Sequence, residues 1–180
     1  MAKPDPRAPA TREHAAALFL DQYFPFHYEV GFMVERHLRD ARLTQQQSII
    51  LWIIHSSGVE GRTLPRKDIE RRLKVWFDVT NSAVSKALRG MARPPLELIA
   101  IEEHPASGRE KIVRLTRAGD MAIVGMMARG ERVIQRMVEE MDDAEIQQGL
   151  HFLRNVSAIV SRWSDEDLPA TLQASGEEVL

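Results

Sequence analysis

The hydrophobic spacing changes period across Pro94-Pro95, and that change sets what the middle of this chain can fold into. Before the prolines, Val84, Ala87, Leu88 and Met91 recur at i, i+3, i+4 and i+7, the spacing of one helix face. After them, Leu96 to Glu102 is rich in Leu and Ile. Lys111 to Leu115 then alternates, with Val113 and Leu115 on one side and Ile112 and Arg114 on the other. His104-Pro105-Ala106-Ser107-Gly108-Arg109 joins the two runs with Pro and Gly where a hairpin turn wants them, which puts Arg109 at the tip. Thr80 is a good N-cap for the helix, and Val79 and Val84 have hydrophobic-staple spacing. A capped helix therefore feeds directly into a two-stranded hairpin.

More helices are expected on both sides. Apolar residues from Arg12 to Asp40 are dense enough for a long helix, which Pro25 should kink or break. Thr44 and Gln47 have capping-box spacing and open a second helix, buried on most sides, that Ser57-Gly58 ends. Pro65 suits the first turn of a third, with Ile69 and Leu73 on its inner face. Thr116 caps a long helix to about Met141. Asp142 and Glu145 start another, whose stripe Ile146, Leu150, Leu153, Val156 and Ile159 ends at Trp163. The class is mainly α with a small β-hairpin (α+β), and helix, helix, hairpin is the winged helix-turn-helix plan. The domain reading is a flexible tail over 1–11, dimerisation helices over 12–42 and 142–163, the winged domain over 43–117, a connecting helix over 118–141 and an acidic tail over 164–180.

Charge points to a partner. From Arg62 to Arg117 there are thirteen Lys and Arg against seven Asp and Glu, a local charge of +6 in a chain of net charge −2. Such a segment fits a polyanion, and equally a solvated helix face. The helix after Thr80 sharpens the choice, because no acid occurs from Asn81 to Arg93. Its outward side is Asn81, Ser82, Ser85, Lys86 and Arg89, the residue types that read base edges and hold phosphates in a major groove. Arg109 on the hairpin, flanked by Lys111 and Arg114, can reach an adjacent minor groove.

Val79-Thr-Asn-Ser-Ala-Val-Ser-Lys-Ala-Leu-Arg-Gly-Met91 resembles the recognition helix of MarR-type transcriptional regulators. Ser107-Gly-Arg-Glu-Lys-Ile-Val-Arg-Leu-Thr-Arg-Ala-Gly119 resembles their wing signature. The resemblance covers roughly Ala15 to Trp163. It implies a homodimer of interlocked terminal helices on a pseudo-palindromic operator in double-stranded DNA, commonly a repressor released by a small aromatic or anionic effector. On it, Ser82, Ser85, Lys86 and Arg89 face the groove and Arg109 is the wing arginine. The family's wing Asp is Ser107 here, and Glu110 is the acid that could substitute. Leu73 to Val84 is about four residues longer than the family's turn; Lys74-Val75-Trp76-Phe77 is the extra piece, which either extends the third helix or packs as a local plug.

The resemblance places an effector pocket near the dimer interface, with Phe26, His27, Trp52, His55 and Met121 as its lining and a histidine or Arg36 for an anionic ligand. Five of the eight methionines lie between Met121 and Met141, a composition that suits an adaptable apolar pocket or ordinary helix packing. No cysteine is present, which removes disulfides and thiolate metal sites, and no HxxxH or HExxH pair occurs. No metal, cofactor or enzymatic activity is expected. No apolar run spans a bilayer and the first residues lack a signal-peptide core, so a cytoplasmic protein is expected. The competing function is a winged-helix module that binds protein, or shapes DNA without reading sequence and without a ligand response. The sequence leaves open the operator, the effector, the choice between repressor and activator, and what the long turn does to the recognition helix.

Overall fold

The computed structural model describes residues 12–104 and 107–163, so the tails expected over 1–11 and 164–180 lie outside the described residues. The chain divides into two compact units, Met1–Ile134 and Gln135–Leu180. The first opens with α1 (Arg12–Pro25), a π-helical turn (Phe26–Gly31) and α2 (Phe32–Leu38). Of the two outcomes expected at Pro25, a break is not seen: α1 ends there, but the backbone stays helical. The proline's missing N–H interrupts the i→i−4 ladder where the wider turn begins, and the helix runs on. Rings stack along it: Tyr23 on His27 at 5.4 Å and Phe24 on Tyr28 at 6.0 Å between centroids. After α2, both the backbone N–H and the guanidinium of Arg42 donate to Asp40, whose carboxyl is lowered to about 2 by those bonds.

The capping box at the start of α3 (Gln45–Ser57) is present. Gln47 N donates to Thr44 Oγ1 at 3.2 Å, and Thr44 N donates to Gln47 Oε1 at 2.9 Å. Ile50, Leu51, Ile53 and Ile54 are buried, and Gly58 ends the helix. There follow β1 (Thr63–Pro65), α4 (Arg66–Trp76), α5 (Asn81–Met91), β2 (Ile99–His104), β3 (Ser107–Leu115) and α6 (Arg117–Val138). The sheet has three strands rather than the expected two, in the antiparallel order β1-β3-β2, with Leu64 opposite Val113. Pro65 closes β1 and is the N-cap of α4 instead of lying in its first turn. A proline that cannot donate to a ladder is tolerated on such an edge.

The hairpin is displaced from its expected bounds. Leu96 belongs to a turn, not a strand, because the N–H groups of Leu96 and Glu97 both donate to Arg93 O at 3.0 Å. β2 therefore starts at Ile99. β3 starts at Ser107, so Arg109 lies within the strand and not at the hairpin tip. Of the extra piece, Trp76 ends α4 and is exposed, while Phe77 packs against the core. Both suggested roles are thus realised by different residues.

One core, inside the first unit, joins α3, α4, α5, the sheet and α6; Ile50, Ile69, Leu73, Val84, Leu88, Met91 and Val113 belong to it. Thr116 caps α6 by accepting from Gly119 N at 3.1 Å. In the second unit, α7 (Asp143–Val160) begins with the expected capping box between Asp142 and Glu145, both bonds at 2.8 Å. None of its side chains is buried, and Leu150, Leu153, Val156 and Ile159 are exposed. No described helix is long and apolar enough to cross a membrane.

Two glycines test this packing in opposite directions. A Cβ on Gly119 would lie 2.1 Å from Leu98 O, and one on Gly90 would meet only Gln47 Nε2 at 3.7 Å. Gly119→Ala should lose about 1–3 kcal/mol or more to overpacking, beyond any gain in helix propensity. Gly90→Ala should gain about 0.5–1 kcal/mol. Urea unfolding of both variants against the parent checks the two signs.

Candidate nucleic-acid interface

The geometry of α5 follows from its apolar edge. Val84, Leu88 and Met91 are buried, so the opposite face must point outward. Thr80 caps the helix by accepting from Ala83 N at 3.2 Å. Asn81, Ser82, Lys86 and Arg89 are exposed on it, and no acidic residue lies between Asn81 and Arg93. Ser82, Lys86 and Arg89 are spaced i, i+4 and i+7, which places them along one side.

Ser85 sits on that side but is half-buried, and its hydroxyl is engaged. It donates to Asn81 O at 2.7 Å and accepts from Arg66 Nη2 at 2.7 Å. Arg66 Nε in turn donates to Glu70 Oε1 at 2.7 Å. Arg66 therefore ties the first turn of α4 to the middle of α5. The sequence reading missed this residue. Its only sequence signal is a position just after Pro65, at a helix start whose apolar face is already assigned.

Ion pairs hold the wing to α4 and link its two strands. Lys67 Nζ lies 2.5 Å from Glu110 Oε1, joining α4 to β3. That hydrogen bond raises the Lys67 ammonium and lowers the Glu110 carboxyl relative to their ordinary values. Glu110 thus braces the wing, through a lysine. Lys111 lies directly opposite Glu103 in the β2–β3 register and meets it at 2.9 Å, which lowers the Glu103 carboxyl. Arg114 reaches Glu102 at 3.2 Å, and Arg62 pairs with Asp120. Beyond Glu103 the register is irregular: Ser107 opposes His104 and Lys111 opposes Glu103, leaving residues 108–110 as an excursion on β3. The backbone of Arg109 lies in it; its side chain, and the residues Pro105 and Ala106, lie outside the described residues.

The residues named for an effector pocket form separate groups. Phe26 and His27 lie on the π turn, where His27 contacts Tyr23, Tyr28 and Phe32. Trp52 and His55 are 5.9 Å apart between ring centroids on α3. Met121 is exposed on α6. No described ring contact joins the first pair to the second. A cleft of about 300 Å³ is lined by Phe32, which His27 contacts, by Arg36, the arginine named for an anionic ligand, and by Glu35, Arg39 and Gln45; Glu35 Oε1 is buried without a hydrogen-bond partner. Among the described residues no three His, Asp or Glu side chains gather as metal ligands would.

Comparison with known proteins agrees with this geometry. Residues 43–119 match the family model of a winged helix DNA-binding domain. No curated protein sequence matches the chain. Solved structures do. The transcriptional regulator Tm0710 from Thermotoga maritima is 20% identical, with 79% of this chain and 96% of that one covered and a TM-score of 0.57. A mutant of MepR from Staphylococcus aureus, bound to an oligodeoxyribonucleotide, is 20% identical over 79% of this chain and 97% of its own, with a TM-score of 0.54. BpsR from Bordetella bronchiseptica, whose DNA binding is described as regulated by 6-hydroxynicotinic acid, is 19% identical over 77% and 98%, with a TM-score of 0.53. At such identity the likeness is one of fold. Residues 43–119 have the winged helix fold that this family model describes, and the chain shares the overall fold of these solved structures.

Proposed function

We propose that this protein is a sequence-specific DNA-binding transcriptional regulator, a homodimeric repressor that a small aromatic or anionic molecule releases from a pseudo-palindromic operator. The observation that carries the reading is α5: a capped helix with one edge buried and the other offering Asn81, Ser82, Lys86 and Arg89 with no acid among them. A helix of this kind enters a major groove, and its small polar and cationic side chains meet base edges and phosphates. The dimer is supported by apolar surface that one chain leaves open, including Leu20, Tyr23 and Phe24 on α1 and Leu153, Val156 and Ile159 on α7. The effector is supported by the cleft at Arg36 and Arg39, whose guanidinium groups suit a carboxylate. The regulation described for BpsR supports it too.

A gel-shift with DNA from the protein's own promoter region tests this reading. Retardation that survives excess competitor, and that aromatic acids reverse, is the expected result. Uniform retardation of any duplex would favour an architectural module instead.

Two arginines should separate reading from holding. Arg89→Ala should cost about 1–3 kcal/mol of operator affinity and relax specificity at one base position per half-site. Arg109→Ala should weaken binding to most sequences and reduce the salt slope of the dimer by roughly two units. Titrations at several salt concentrations read both effects, and an unchanged slope for Arg109→Ala removes the wing from the interface.

Deleting residues 142–180 should leave aggregated protein, because the proposed dimer loses the α7 part of its apolar interface. A folded, DNA-binding monomer in sedimentation after that deletion contradicts the dimer.

A further inference from the structure

Some of the cations around the groove-facing helix are held by acids and some are not. Arg66, Lys67, Lys111, Arg114 and Arg62, at the start of α4 and along the sheet, each sit on a carboxylate: Glu70, Glu110, Glu103, Glu102 and Asp120 in turn. Lys86 and Arg89 on α5 have no acid partner among the described residues. Arg66 and Glu70 are neighbours on one helix, but the other pairs are built by the fold. Glu103 faces Lys111 across the strand register, and Glu110 reaches Lys67 on another element, 43 positions away.

Attraction of free cations to phosphate supplies nearly all of a protein's affinity for DNA of arbitrary sequence. A carboxylate already beside a lysine opposes that attraction, since phosphate must either displace it or lie close to a like charge. We propose that Glu102, Glu103 and Glu110 are specificity-determining residues. They neutralise the wing and its junction with α4, so that charge alone does not retain the protein on DNA, and base reading by α5 decides where it stays. The proposal rests on the DNA-binding function given above and assigns these three acids a part in it that is separate from bracing the wing. The pairs are exposed, so the acids can be changed without opening the core.

The test is binding to a labelled duplex of random sequence over a series of salt concentrations. It compares the full chain, the variant Glu102→Gln/Glu103→Gln/Glu110→Gln, and the control Glu131→Gln/Glu139→Gln/Glu140→Gln, which changes net charge equally at exposed positions outside the winged domain. Circular dichroism establishes that all three are folded. The wing variant should bind random duplex about tenfold tighter or more at about 0.1 M salt. Its slope of log affinity against log salt should steepen by roughly 0.9 for each released cation that meets a phosphate. Its preference for promoter DNA over random DNA should fall, while the control keeps the parent slope. A wing variant whose slope equals the parent's overturns the proposal, and so does an equal steepening in the control, which would make net charge the cause. Failure of all three proteins to bind any duplex at the lowest salt would instead overturn the DNA-binding function itself. In that case the parent's own curve is flat, which tells the two failures apart.

Discussion

Burial of Val84, Leu88 and Met91 is the constraint on which the rest of the site depends. Those three side chains share a core with Ile50 of α3 and with Ile69 and Leu73 of α4, so the rotation of α5 about its own axis is fixed by packing. Once it is fixed, Ser82, Lys86 and Arg89 have only solvent to face. The end of the helix is tied down as well. Leu98 N donates to Met91 O at 2.8 Å, and Thr116 N donates to Leu98 O at 3.0 Å, so α5, the sheet and the start of α6 share one short stretch of backbone. Gly119 is required at that place because no side chain fits beside Leu98 O.

What was legible in the sequence was what is local. The caps at Thr44, Thr80, Thr116 and Asp142 each depend on residues within one helical turn, and each is found where its spacing puts it. The outward face of α5 was legible for the same reason. β1 was not, because three residues carry no periodicity and Thr63 to Pro65 become a strand only when β3 offers an edge some fifty residues later. Arg66 illustrates the same limit at the site. Its bond to Ser85 spans 19 positions and makes that serine a joint between two helices. The start of β2 was misplaced because Leu96 has the composition of a strand while its N–H is taken by a turn.

The wing adds a second lesson about charge. A segment total of +6 describes what a distant polyanion senses, but contact depends on which cations are free to leave their partners. Lys67 and Lys111 count fully in such a total, and both are already hydrogen-bonded to carboxylates. Lys86 and Arg89 on α5, by contrast, count in the total and have no acid beside them among the described residues.

The absence of any buried side chain on α7 bears on how the protein responds to dilution. The winged domain closes its own core, so its stability is a property of one chain at any concentration. A helix of 18 residues that buries nothing of its own draws its stability from whatever covers its apolar stripe. If that cover is a second copy, mass action makes α7 the part whose folding depends on protomer concentration. Amide exchange along α7 would then quicken as the protein is diluted, while exchange in α3 and α5 stays constant. The same chain would carry one element that senses its own abundance and another that does not.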